Sequence, residues 1–143
     1  MKSKLSFFIP ALFAILGLAS CTKLEKVLVK KEGNWTVTRT LTRITTGSTV
    51  VTDFTDNNPG LTYNFKEDGT GTITESGSTT ATNFSWTADD GAESITIVSS
   101  GNTTVWVLSE NKAKSLRGSS TSSVTVFGVI TTSYYEIDMI RVE

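Results

Sequence analysis

The 143-residue chain has no histidine, one cysteine and two prolines. Without histidine there is no Ser-His-Asp triad, no Cys-His dyad and no imidazole ligand for zinc, and a lone cysteine supplies neither a paired-thiolate metal site nor an internal disulfide. An excess of either charge is also missing: 13 Lys and Arg stand against 14 Asp and Glu, a net of −1. Nucleic acid is therefore not an expected partner, since nothing offsets the charge of a phosphate backbone. The one long apolar run, residues 5–18, is 14 residues, short of the roughly 20 that a spanning helix requires. What is present is a single-domain length with 38% hydrophobic and 19% charged residues, a composition that suits a β-rich globular domain.

The apolar run follows Lys2 and Lys4 and ends in the small residues Ala19 and Ser20 before Cys21, the layout of a secretory signal. Leu18-Ala19-Ser20-Cys21 resembles the lipobox of bacterial lipoproteins. That resemblance implies cleavage before Cys21, a diacylglyceryl thioether on its sulfur and usually an acyl chain on the new amino group. The alternative is an ordinary signal peptide cut near Ala19 or Ser20. On the lipobox reading, residues 1–20 are signal, 21–32 a lipid-carrying tether and 33–143 the folded domain. The protein then sits in the cell envelope, lipid-anchored at the outer membrane, with the membrane as a partner reached through the lipid. Two or three acyl chains anchor stably where one does so marginally. The processed chain carries 11 basic and 14 acidic residues, which gives no reason to expect electrostatic capture of anionic lipid. In the tether, Leu24, Val27 and Leu28 at i, i+3 and i+4 allow a short helix, with a flexible linker as the alternative.

From Gly33 onward the pattern is β. Thr and Ser make up 42 of the 143 residues, and apolar residues alternate with Thr in the period-2 signature of half-wet strands. Trp35, Val37 and Leu41, then Val50 and Phe54, then Leu61, Tyr63 and Phe65, carry this alternation. Asp56-Asn57-Asn58-Pro59-Gly60, Glu67-Asp68-Gly69 and Asp89-Asp90-Gly91 read as turns. Later strands are expected at 82–88, 95–98, 104–108, 112–117, 122–127 and 131–142, with Ser/Thr/Gly-rich loops at 75–81 and 118–123. Eight or nine strands joined by short turns, with no long helix, predict an all-β, antiparallel up-and-down barrel of about eight strands that closes on itself to remove its edges.

Gly33-Asn34-Trp35 at the head of the first strand resembles the G-x-W motif of lipocalins. Tyr63-Asn64-Phe65-Lys66-Glu67-Asp68-Gly69-Thr70-Gly71 is similar to a hairpin of small lipocalin-like domains in secreted bacterial lipoproteins. The resemblance covers residues 33–142 and implies a lipocalin-like barrel, closed at one end by Trp35 stacked on Arg141. It also implies a small hydrophobic or amphipathic ligand, held by inward aromatics: Tyr63, Phe65, Phe84, Trp86, Trp106 and Tyr135. The alternative is a barrel filled by these same side chains, which acts as a structural or interaction lipoprotein and docks a partner protein. Valines on both sides of Trp106 hint at an outward apolar patch.

No catalytic residue, metal site or cofactor is expected. The adjacent carboxylates Asp53 and Asp56, Glu67 and Asp68, and Asp89 and Asp90 fall mostly in turns, where such side chains serve the backbone. No hydroxyl has a base to activate it.

Overall fold

The structure is a computed structural model that describes residues 23–143. Cys21 and the signal segment lie outside the described residues. A helix α1 (Lys23–Val29) and a 3-10 turn (Lys31–Gly33) lead into nine strands. These are β1 (Asn34–Thr46), β2 (Thr49–Asp56), β3 (Leu61–Phe65), β4 (Thr70–Glu75), β5 (Ala81–Asp89), β6 (Ser94–Ser99), β7 (Asn102–Asn111), β8 (Ser115–Val126) and β9 (Val129–Arg141). All pairings are antiparallel, in the order β2-β1-β3-β4-β5-β6-β7-β8-β9, and a β1–β9 ladder closes the ring. Eight strands thus form the barrel, and β2 stands outside it. Apart from that excursion the chain is a meander, so nearly every pairing is between sequence neighbours.

Strand lengths shape the molecule. β1 pairs with β9 along its whole length, from Trp35 opposite Arg141 to Thr46 opposite Thr131. On its other side β1 changes partner: residues 34–36 face β3, and residues 40–46 face β2. β8 likewise follows β9 as far as Val126 but leaves β7 after Ser119. All of β2 and the upper halves of β1, β9 and β8 therefore form a four-stranded arm past the barrel. At about 3.3 Å per residue, the 13 residues of β1 place the arm tip roughly 40 Å from the closed end.

One sequence expectation needs revision, and one that stood open is decided. Residues 118–123, expected as a loop, lie inside β8. Gly118 fits closely there, because a β-carbon would come within 3.2 Å of Leu108 and Trp106 across the ladder and would push one of them aside by a few tenths of an ångström. The Ser/Thr run after it pairs residue by residue with β9 but leaves the barrel wall, so no apolar alternation marks it as a strand. Residues 23–29, for which helix and flexible linker stood open, form the helix.

That helix plugs one end of the barrel. Leu24 and Leu28 are fully buried in the same core as Trp35, Phe65, Ile95, Leu116, Ile137 and Met139. A seven-residue helix is too short to be stable alone, so its ends need partners. Asp90, in the turn after β5, accepts from the Lys23 and Leu24 amides at 2.7 Å each. At the other end Trp35 Nε1 donates to the Leu28 carbonyl at 2.9 Å, and an Arg141 Nη donates to the Val27 carbonyl. These carbonyls have no intrahelical donor, and a cation suits that end of the helix dipole.

Candidate functional site

The residues singled out in the sequence fall into two groups. Trp35 and Arg141 sit opposite each other in register at the closed end, with the Arg141 guanidinium 4.7 Å from the Trp35 ring centroid. Both are buried. Burial pulls the Arg141 pKa below the usual guanidinium range, as expected for a charge taken from water without a carboxylate partner. The pair does more than close the barrel, since each side chain also caps a carbonyl of α1.

The aromatic set fills the lumen. Tyr63 lies 5.4 Å from Trp106, 5.9 Å from Phe84 and 6.1 Å from Phe65, ring centroid to centroid. Phe65 in turn meets Phe84 at 5.4 Å and Trp86 at 5.3 Å, both edge to face. Tyr135 packs at the margin of this cluster, and burial raises the phenol pKa of both Tyr63 and Tyr135. Such edge-to-face pairs each add about 0.5–1.5 kcal/mol beyond the area they bury.

The aromatic-charged-Asp-Gly-Thr-Gly hairpin holds this cluster. Asp68 accepts from the Thr70 amide at 2.9 Å and from its hydroxyl at 2.6 Å. Trp86 returns two hydrogen bonds to the same turn, its amide to the Gly69 carbonyl and its indole to the Thr70 carbonyl. Gly71 makes room for the Phe84 ring, whose Cζ would be 2.3 Å from an added β-carbon.

The carboxylates serve structure. Asp56 caps the Asn58 amide, Asp89 the Gly91 and Ala92 amides, and Asp90 the start of α1, while Asp53 pairs with Arg43 at 2.9 Å. On the outer wall, Asp138 receives Arg117 at 2.6 Å and Arg39 at 2.9 Å, and Glu136 also pairs with Arg39. Hydrogen bonds from Arg117 and then Arg39 hold the Asp138 carboxyl below its usual range. A carboxylate with a depressed folded-state pKa contributes stability that is complete above its unfolded pKa, about 3.9, and is lost as pH falls through the folded value. The urea midpoint is therefore expected to fall below about pH 4, and to fall less steeply in Asp138→Asn. Equal slopes in the two proteins would assign the acid sensitivity to other groups.

The arm was not foreseen. Of the 13 exposed large hydrophobic residues among the described residues, eight lie on it: Val50, Val51, Phe54, Val124, Val126, Phe127, Val129 and Ile130. Three others, Val98, Val105 and Val107, make a smaller patch outside the barrel and include the valines that flank buried Trp106. The arm has two open edges. Along β2 the edge carries Asp53 and Asp56, and the β1–β2 ladder is interrupted by a bulge between Ile44 and Thr45. Along β8 it has no charge, proline or register shift from Ser119 to Val126. At the tip, Phe127 is completely exposed with φ +49°, in a two-residue turn with Gly128. A sequence signal did exist, because residues 118–135 form an 18-residue stretch without a charge.

Compared with family models, curated proteins and solved structures, the chain matches none.

Proposed function

We propose that the chain is a non-enzymatic envelope protein, anchored by lipid on Cys21 at the outer membrane, that docks a partner protein through its arm. One contrast carries the reading: the lumen is filled by the protein's own rings, while exposed apolar side chains gather on a projecting sheet with an unprotected edge. Natural sheets blunt such edges with charge, proline or bulges, as β2 does and β8 does not. An open, neutral edge suits addition of an extended strand from a partner. Phe127 supports the same view. A two-residue hairpin turn favours Asn or Gly in left-handed backbone, so an exposed phenylalanine there opposes both turn preference and solvation. Because α1 begins two residues after Cys21, the closed end would face the bilayer and the arm would point away from it.

The lipocalin-like reading, a small amphipathic ligand in the lumen, has one observation in its favour. Trp106 Nε1 is buried without an acceptor, and a ligand with a polar atom would satisfy it.

Docking is tested in cells with a photoreactive phenylalanine analogue placed at Val124, Val126 or Phe127, and at Ser85 or Thr87 on the barrel wall. The expected result is one discrete adduct from the arm positions and none from the wall. A Phe127→Asn exchange is expected to raise thermal stability slightly and to weaken the adduct formed from Val124. No arm adduct, or the same adducts from arm and wall, would overturn the reading.

A further inference from the structure

Two hollows flank α1 at the closed end, and their charge differs. The larger, about 750 Å³, is lined by Lys26, Lys30 and Lys31 but also by Glu25, Glu32 and Glu67, so its charges balance. The smaller, about 360 Å³, is lined by Lys23, Lys26, Lys30 and Arg141 around Val27 and Ala113, with no carboxylate. Lys23 and Lys26 lie three residues apart on α1, which puts them on one side of the helix, and Lys30 follows its last residue.

None of these four cations has an ion pair among the described residues. The nearby carboxylates are engaged elsewhere: Glu143 with Lys31 and Lys114, Glu110 with Lys112, and Asp90 with the first amides of α1. Arg141 is the decisive member. It is 7% exposed, stacked on Trp35, and its Nε–H is buried without an acceptor. A buried guanidinium with an unused donor and three lysines without an ion pair among the described residues line one hollow that no carboxylate lines, a set of donors that lacks its anion.

We propose that this hollow binds a phosphate group. Val27 and Ala113 would lie against the apolar part of a phosphate ester, and the lysines would neutralise its oxygens. The net negative charge of the processed chain does not oppose this, because screening beyond about 10 Å leaves the local cluster dominant. The source is either a lipid headgroup of the bilayer that this end would face or a free phosphate. The inference concerns a site remote from the arm, and it stands or falls separately from partner docking.

The test uses the full chain, isotope-labelled and purified in non-ionic detergent, with the Arg141 Nε–H and Ala113 amide resonances as reporters. Inorganic phosphate is expected to shift both saturably, and Lys26→Gln/Lys30→Gln to weaken the response about tenfold. Both lysines are exposed, so this variant is expected to keep the wild-type melting temperature. The same resonances are then read in phosphatidylcholine nanodiscs with and without phosphatidylglycerol. A shift that appears only with phosphatidylglycerol assigns the site to a lipid headgroup. A shift that needs added phosphate in both kinds of disc assigns it to a soluble ester. No saturable shift with either probe, or an equal response in the lysine variant, would overturn the proposal. Arm crosslinking is expected to be unchanged in that variant.

Discussion

Replacing Trp35 with alanine is expected to cost about 3–5 kcal/mol, the range for removing a large aromatic side chain from a packed core. Trp35 has no exposed surface and touches three systems at once. Its indole caps the Leu28 carbonyl, its face carries the Arg141 guanidinium, and its body belongs to the core that holds Leu24 and Leu28. The loss compares with a total stability of about 5–15 kcal/mol for a domain of this kind. Trp35→Ala should thus melt at least 10 °C below wild type, by the usual conversion for a domain of this size. Trp35→Phe separates the contributions. It keeps a ring for Arg141 and most of the volume, and it loses the donor to Leu28, a loss of about 1–3 kcal/mol for a buried carbonyl left without its partner. Thermal unfolding of the three proteins checks the order. An alanine variant that melts with wild type would mean that the plug and the closed end do not depend on this residue.

Gly33→Ala is expected to have an effect of similar size through backbone rather than volume. Gly33 has φ +69°, and a β-carbon there would stand 1.8 Å from the Phe65 carbonyl oxygen. Lys31 and Glu32 before it also have positive φ, so three successive residues turn the chain left-handed between plug and first strand. The turn is held by Asn64, whose side-chain amide donates to the Glu32 carbonyl at 2.7 Å. Alanine must displace either β3 or the turn, at a cost of about 3 kcal/mol or more. Gly47→Ala is the control. Its φ is +59° but nothing lies within 4 Å of an added β-carbon, so only the conformational cost remains, about 1 kcal/mol. Limited trypsin digestion gives a local readout. Cleavage after Lys30 or Lys31 is expected in the Gly33 variant well before it occurs in wild type. Equal cleavage rates would show that the joint tolerates a side chain.

The barrel was legible in the sequence where strands have one wet and one dry face. Trp35 and Val37, Tyr63 and Phe65, and Phe84 and Trp86 alternate with Thr, Asn and Ser because the lumen sorts them, and all six are buried. Turn chemistry at residues 67–69 and 89–91 was legible for the same local reason. The arm was not. Once β1 and β8 leave the barrel, both faces of each strand meet solvent, and the period-2 pattern has nothing to impose it. Residues 118–123 consequently read as a loop, although they pair with β9 throughout. The change of partner along β1, from β3 to β2, is likewise a tertiary event without a local signature. The plug had its two leucines in view, but nothing in the sequence indicated that Asp90, Trp35 and Arg141 would fasten its ends.

Whether the lumen is filled or carries a guest is decided most directly by mass spectrometry of the protein released from its own membranes in mild detergent, measured first under native and then under denaturing conditions. The expected result is the same mass in both: residues 21–143 plus covalent acyl groups on Cys21, with nothing lost on unfolding. A further component that leaves on denaturation and binds again to the refolded barrel would contradict a core packed by Tyr63, Phe65, Phe84, Trp86 and Trp106 alone.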